Sequence, residues 1–171
     1  RRAMKSKTRI DRSEPQTDTP GPEAPAPEAV EVATTRSIEL TQVATRREHD
    51  LLGEVNVPAQ AYWGVHTLRA VENFPITGVP VGHFPEFVKA LALVKQAAAR
   101  ANRRLGHLPA DKADMIDRAC DLIVREGRHH DQFVVDVIQG GAGTSTNMNT
   151  NEVVANVALE LMGRPKGDYA A

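Results

Sequence analysis

Gln139-Gly140-Gly141-Ala142-Gly143-Thr144-Ser145-Thr146-Asn147-Met148-Asn149-Thr150-Asn151-Glu152 is the stretch on which the reading of this chain turns. Glycines give way to the hydroxyl residues Thr144, Ser145 and Thr146 at the mouth of a segment predicted as helix, roughly Asn147 to Met162 and capped by Gly163. The first N–H groups of a helix have no internal acceptor, and the aligned peptide dipoles make that end positive, so it suits an anion. The stretch lacks the Gly-Lys-Ser/Thr ending of a phosphate-binding loop and the spacing of a dinucleotide fingerprint, which favours a small carboxylate over a nucleotide. The same residues also suit a tight turn with Thr144 or Ser145 as a plain helix cap, and the loop by itself does not separate the two readings.

The helix that follows carries an unusual polar set. Asn147, Asn149, Asn151 and Asn156 are poor helix formers, yet they alternate with Met148, Val153, Val154, Val157, Leu159 and Leu161. Amides among so many apolar residues need partners, so a hydrogen-bonded network is expected for most of them, with direct substrate contact open to one.

Working outward, Phe133 to Ile138 is a short apolar run of strand or buried-loop length. A helix is predicted over about Pro109 to Glu126, burying Met115, Ile116, Ala119, Cys120 and Ile123 and stopping at Gly127. Another runs from about Pro85 to Leu105, with Phe87, Leu91, Val94, Ala98, Ala101 and Leu105 along one stripe and Gly106 as its cap. Before a proline-rich connection from Pro75 to Pro85, Pro58 is placed to open a helix through Tyr62, Val65 and Leu68 to about Asn73, preceded by an extended or turn segment from Asp50. Residues 1–46 form a tail. Pro15, Pro20, Pro22, Pro25 and Pro27 stand among Ser, Thr, Glu and Ala, too little apolar surface to offset an ordering entropy of about 1–2 kcal/mol per residue.

Composition narrows the class of function. A hydrophobic fraction of 41% with only 4% aromatic residues points to helices built from Ala, Leu and Val, and away from a β-sandwich or a base-stacking module. A net charge of −1 provides no field for nucleic acid or an anionic membrane. The single cysteine, Cys120, cannot form an internal disulfide, and no apolar run approaches the roughly 20 residues that span a bilayer, so a reducing cytoplasm is the expected compartment. No apolar core follows Arg1 and Arg2, and Asp11, Glu14 and Asp18 argue against a transit peptide. Arg1 in place of Met suggests a fragment. His129, His130 and Asp131 are adjacent rather than convergent and read as solvated residues past a helix end, not as a metal site. Arg100, Arg103 and Arg104 complement the dipole of their helix. His66 and Arg69, three apart on one helix face, suit either a common anion or salt bridges at a surface or interface.

Three segments together resemble aspartate ammonia-lyases of the aspartase/fumarase superfamily. They are Asp50-Leu51-Leu52-Gly53-Glu54-Val55, then Ala61-Tyr62-Trp63-Gly64-Val65-His66-Thr67-Leu68-Arg69-Ala70-Val71-Glu72-Asn73-Phe74, then Asp131-Gln132-Phe133 with Gly140 through Glu152. Class II fumarases are similar in the Gly-Thr and Asn-Met-Asn core, but the His-Thr-Leu-Arg-Ala run and the Gly-Gly-Ala-Gly-Thr form look more like aspartase. The resemblance covers about Asp50 to Tyr169. It implies a mainly α fold in which 47–143 form an N-terminal lyase domain, and 144–171 leave the Gly-rich loop to begin a central helical-bundle domain. It further implies reversible anti-elimination of ammonia from L-aspartate to give fumarate, without an organic cofactor and with no metal ligand assigned in this chain, in a homotetramer whose active sites each draw on three subunits. Thr144 matches the family's substrate-binding threonine, flanked by Gly143 and Ser145. Arg69 matches a family arginine near a second anion site, to which His66 on the same helix face is added, although Val55 stands in place of a further family arginine. The family's serine base and its other substrate segments have no match in this chain, so no catalytic residue is expected here and the chain alone is expected to be inactive. A fumarate hydratase, or a non-catalytic fragment acting only in assembly, are the competing readings.

The tail generates the first test. Limited proteolysis should remove residues before about Arg36 ahead of any cleavage in the remainder, read by mass spectrometry of the early products. A protected N-terminus would contradict it.

Overall fold

The structure, a computed structural model, describes residues 44–170. The predicted tail lies outside the described residues except for 44–46, of which Thr45 and Arg46 already belong to a strand. An antiparallel hairpin pairs β1 (Thr45–Asp50) with β2 (Gly53–Pro58), with Asp50 opposite Gly53 across a Leu51-Leu52 turn. Four helices follow: α1 (Val65–Asn73), α2 (Pro85–Arg104), α3 (Ala110–Arg125) and α4 (Thr144–Leu161). Short 3-10 turns at Val81–His83 and His130–Gln132 complete the order. The mainly helical class expected from the sequence is the one found. No helix among the described residues is long and apolar enough to cross a membrane.

Several expectations need correction. Pro58 ends β2 instead of opening a helix, because residues 45–58 find their backbone partners across the hairpin, and the helix begins only at Val65. The face that α2 buries is Val88, Ala92, Gln96 and Ala99, whereas Phe87 and Val94 are 48% and 64% exposed. That face is turned about one residue, roughly 100°, from the predicted stripe. The small Ala92 and Ala99 let α2 lie close against its neighbours, and Gln96 satisfies its amide on the Asp117 carbonyl and the Asp121 carboxylate. On α3 the expected Ala119, Cys120 and Ile123 are buried, while Met115 and Ile116 are half-buried. Of the two forms open to the Phe133–Ile138 run, strand or loop, it takes the loop, joined to the 77–82 connection by backbone hydrogen bonds and a single bridge, Pro80 to Asp136. His129 and His130 are partly buried, not solvated: His129 adopts a left-handed backbone with its ring 4.2 Å from that of Tyr62, and His130 Nε2 donates to the Ile123 carbonyl.

The core runs between α2, α3 and α4 and takes in Val88, Ala92, Cys120, Ile123, Phe133, Val153 and Val157. Of the α4 asparagines, Asn149 and Asn156 are fully buried, with α1, α2 and α3 packed around the helix. Asn149 donates to the Gln132 carbonyl; Asn156 donates to the Tyr62 carbonyl and the Tyr169 hydroxyl and accepts the Gly167 N–H. Arg100 and Arg103, assigned from sequence to the helix dipole, also cross to Asp117 and Asp114 of α3.

The start of α1 is closely packed. Its first N–H groups are met by carboxylates distant in sequence: Glu152 of α4 accepts from Gly64, His66 and Thr67 at 2.8, 2.8 and 3.1 Å, and Glu48 of β1 accepts from Val65 at 2.9 Å. Gly64 sits where these acids converge. A Cβ there would lie 2.5 Å from Glu48 Oε2, 2.6 Å from the Tyr169 hydroxyl and 3.0 Å from Glu152 Cδ. Gly64→Ala should therefore destabilise the fold by about 1–3 kcal/mol, the usual range for overpacking, measured as a lowered urea midpoint at unchanged slope. A midpoint equal to that of the parent would show that the acids can shift at no cost.

Candidate functional site

The Gly-rich loop and the first turn of α4 form the candidate site. Gly143 has φ 75° and ψ 24°, a left-handed conformation that a side chain disfavours, and it swings the chain into the helix at Thr144. Thr144 is exposed, while Gly143 and Ser145 are half-buried. Among the described residues no acceptor meets the N–H of Thr144 or Ser145, and the first turn of α4 holds no acidic residue. Beside this turn is a cleft of about 380 Å³, walled by Val81, Phe87, Leu91 and Val137 and edged by the polar Gln139, Thr146 and Asn147.

Three side chains that the sequence reading gave no role set this geometry. Gln139 accepts the Thr146 N–H at 3.0 Å and donates to Thr146 Oγ1 at 2.7 Å, bracing the loop from outside the helix. Asp136, three residues earlier in the chain, accepts from the Thr77 N–H and hydroxyl and from the N–H of Gly78 and Ile138, all at 2.7–2.9 Å. Burial pushes its pKa up, but these donors outweigh burial and hold it at about 2. Lys95 of α2 donates to the Asn147 side chain, and burial lowers the pKa of its ammonium. The clue in the sequence was position alone: Asp136 and Gln139 are the polar residues at the exit of an apolar run, directly before the glycines.

His66 and Arg69 do not join this site. His66 Nδ1 lies 3.0 Å from Glu152, and Arg69 makes a paired contact to Asp50 at 2.7 and 2.8 Å. The Arg69 guanidinium holds the Asp50 carboxyl below its ordinary range. The two basic groups thus face separate carboxylates, and an anion bound there would have to compete with Asp50 for Arg69. Cys120 is buried among α2, α3 and α4, and burial, with Asp117 and Asp121 nearby, pushes its thiol up to about 12, so no thiolate nucleophile is present. Among the described residues no cluster of three or more His, Cys, Asp or Glu is arranged to hold a metal ion.

With this geometry in view, comparison with known proteins places the chain. Residues 53–169 match the model of a family described as Lyase. The aspartate ammonia-lyase of Pseudomonas aeruginosa is 64% identical over 126 residues, covering 74% of this chain and 26% of that protein. The aspartate ammonia-lyase of Corynebacterium glutamicum is 60% identical over 124 residues, covering 72% and 24%. Among solved structures, fumarate lyase:delta crystallin from Brucella melitensis in native form aligns with a TM-score of 0.73 at 58% identity over 74% of this chain and 29% of its own. A class II fumarase from Schistosoma mansoni aligns with a TM-score of 0.67 at 35% identity, covering 72% of this chain and 26% of its own. The fold is that of a fumarate-lyase-type protein. The chain belongs to that lyase family, the aspartase/fumarase superfamily, and spans about a quarter of the length of the curated relatives it matches.

The ties at Asp136 predict a response to acid. Its folded pKa of about 2 lies below the ordinary 3.8, so the stability it contributes is complete above that ordinary value and is lost as pH falls toward 2. Asp136→Asn should lower stability near neutral pH and flatten the decline between about pH 4 and 2, followed by circular dichroism in an acid titration. Parallel curves for the two proteins would exclude this role.

Proposed function

We propose that the complete protein is a lyase that reversibly deaminates L-aspartate to fumarate and ammonia by anti-elimination, and that the loop from Gly140 to Ser145 binds one carboxylate of the substrate. The observation that carries this is the start of α4: the Thr144 and Ser145 N–H groups meet no acceptor among the described residues and the Thr144 side chain is exposed at the positive end of a helix, in a turn without an acidic residue whose neighbours Gly143, Thr146 and Asn147 line a cleft. Membership of the lyase family and identity of 57–64% to proteins named aspartate ammonia-lyase support the substrate, against 35% to a class II fumarase.

In this reading Gly143, Thr144 and Ser145 hold and orient the dicarboxylate. When a base removes the proton next to the substrate's β-carboxylate, negative charge grows on carboxylate oxygens, and fixed donors stabilise it without reorganising. That base and the remaining carboxylate contacts come from parts of the protein outside this chain, which is therefore inactive alone. Assembly into a homotetramer, with sites shared between subunits and α4 as the first helix of a second, central domain, belongs to the same proposal.

The test uses the full-length protein and follows fumarate in the ultraviolet. L-aspartate should be turned over and L-malate ignored, and the isolated chain should show neither activity. Losing a donor to a developing oxyanion costs about 2.7–4 kcal/mol, so Thr144→Ala should lower kcat/KM roughly a hundredfold or more with the oligomer intact. Efficient malate dehydration without aspartate turnover would make the protein a fumarase instead. A silent Thr144→Ala would reduce the loop to a turn and a cap.

A further inference from the structure

Gln139 precedes the Gly-rich loop in sequence and closes it in space. Its Oε1 accepts the Thr146 N–H at 3.0 Å, and its Nε2 donates to Thr146 Oγ1 at 2.7 Å and to the Asp136 carbonyl at 2.9 Å. Thr146 is the third residue of α4. Residues 140–145 are thus pinned at both ends by one side chain, while the N–H groups of Thr144 and Ser145 are left over.

The chemical nature of this brace matters as much as its reach. A carboxylate at position 139 would accept the same N–H and would favour the positive helix end more strongly than an amide does. The chain uses carboxylates for that purpose at the start of α1, where Glu152 and Glu48 take the free N–H groups. At α4 the brace is neutral, and it edges the same cleft as Gly143, Thr146 and Asn147. A negative charge there would satisfy the helix and repel a bound anion.

We propose that Gln139 is a positioning residue for the substrate carboxylate: it fixes the loop so that the Thr144 and Ser145 N–H groups stay unpaired at the start of α4, and it is neutral so that this helix end remains available to an anion. This rests on the function proposed above. Two variants of the full-length protein separate the two halves of the claim. Gln139→Glu keeps the acceptor for Thr146 and adds a charge that the helix end favours, which offsets the lost donation to the Asp136 carbonyl, so its melting temperature should stay close to that of the parent while KM for the substrate rises at least tenfold and kcat changes less. Gln139→Ala removes the brace without adding charge, and should lower kcat/KM at least tenfold with a substantial share in kcat.

A Gln139→Glu protein with parental KM, or one whose KM rises only together with a fallen melting temperature, would overturn the inference. So would a Gln139→Ala protein with parental kcat/KM, a result that decides the matter alone if Gln139→Glu does not fold. The parent is assayed first on L-aspartate and on L-malate. If it uses malate only, the proposed deamination falls but the same comparison runs on malate; if it uses aspartate and both variants are silent, the deamination stands and the role of Gln139 falls.

Discussion

Two buried carboxylates gathered on the open end of one short helix hold this chain together. Placing Glu152 and Glu48 away from water would cost several kcal/mol apiece if they lacked partners. Here Glu152 takes three backbone N–H groups and the His66 ring nitrogen, and Glu48 takes the Val65 N–H and the Arg46 guanidinium. Arg46 in turn reaches the carbonyls of Pro58, Ala61 and Trp63, which fixes the path from β2 into α1. Asn156, one turn beyond Glu152, secures Tyr62 on one side and the segment around Gly167 and Tyr169 on the other. Hairpin, first helix, last helix and final turn are thus parts of one polar assembly, built beside the apolar core of α2, α3 and α4.

The two ends of functional interest use one physical principle with opposite outcomes. At α1 the free N–H groups are consumed by the protein's own acids, and the site is closed. At α4 a neutral amide satisfies one N–H, and the chain offers no charge of its own to the others. Helix α4 connects these places: Glu152 lies about two turns beyond Thr144 on the same rod, so the packing that anchors α1 also sets where the Gly-rich loop stands. The inertness of Cys120 and the pairing of Arg69 with Asp50 remove competing centres of chemistry from the same unit.

Much of this was legible in the sequence. The Gly-rich loop, the helix after it and the buried face of α3 follow from composition and spacing, because glycines, hydroxyl residues and apolar periodicity act locally. What was hidden depends on partners far along the chain. Nothing near Pro58 reveals that residues 45–58 pair with one another, since the turn is the apolar Leu51-Leu52 and not a hairpin dipeptide rich in Asn or Gly. The face that α2 turns inward follows from the small residues Ala92 and Ala99, which allow close approach, rather than from the largest side chains. Glu152 is an acidic residue in a helix dominated by Val and Asn, a conspicuous position, but its role appears only when Gly64 is brought against it from 88 residues away. The same holds for Gln139, whose partner Thr146 lies across a loop that the sequence shows only as flexible glycine.

The caps of α1 also fix an order of events. A helix of nine residues is too short to be stable by itself in water, and the groups that satisfy its first turn arrive from β1 and from α4. Glu48 precedes it in the chain, but Glu152 follows by some eighty residues, so α1 gains its principal cap only after α2, α3 and the first half of α4 have been made. During synthesis from the N-terminus, α1 must therefore wait, unlike α2 and α3, which form their contacts locally. The α1–α4 junction is therefore a long-range contact, made by the same helix whose first turn forms the candidate site.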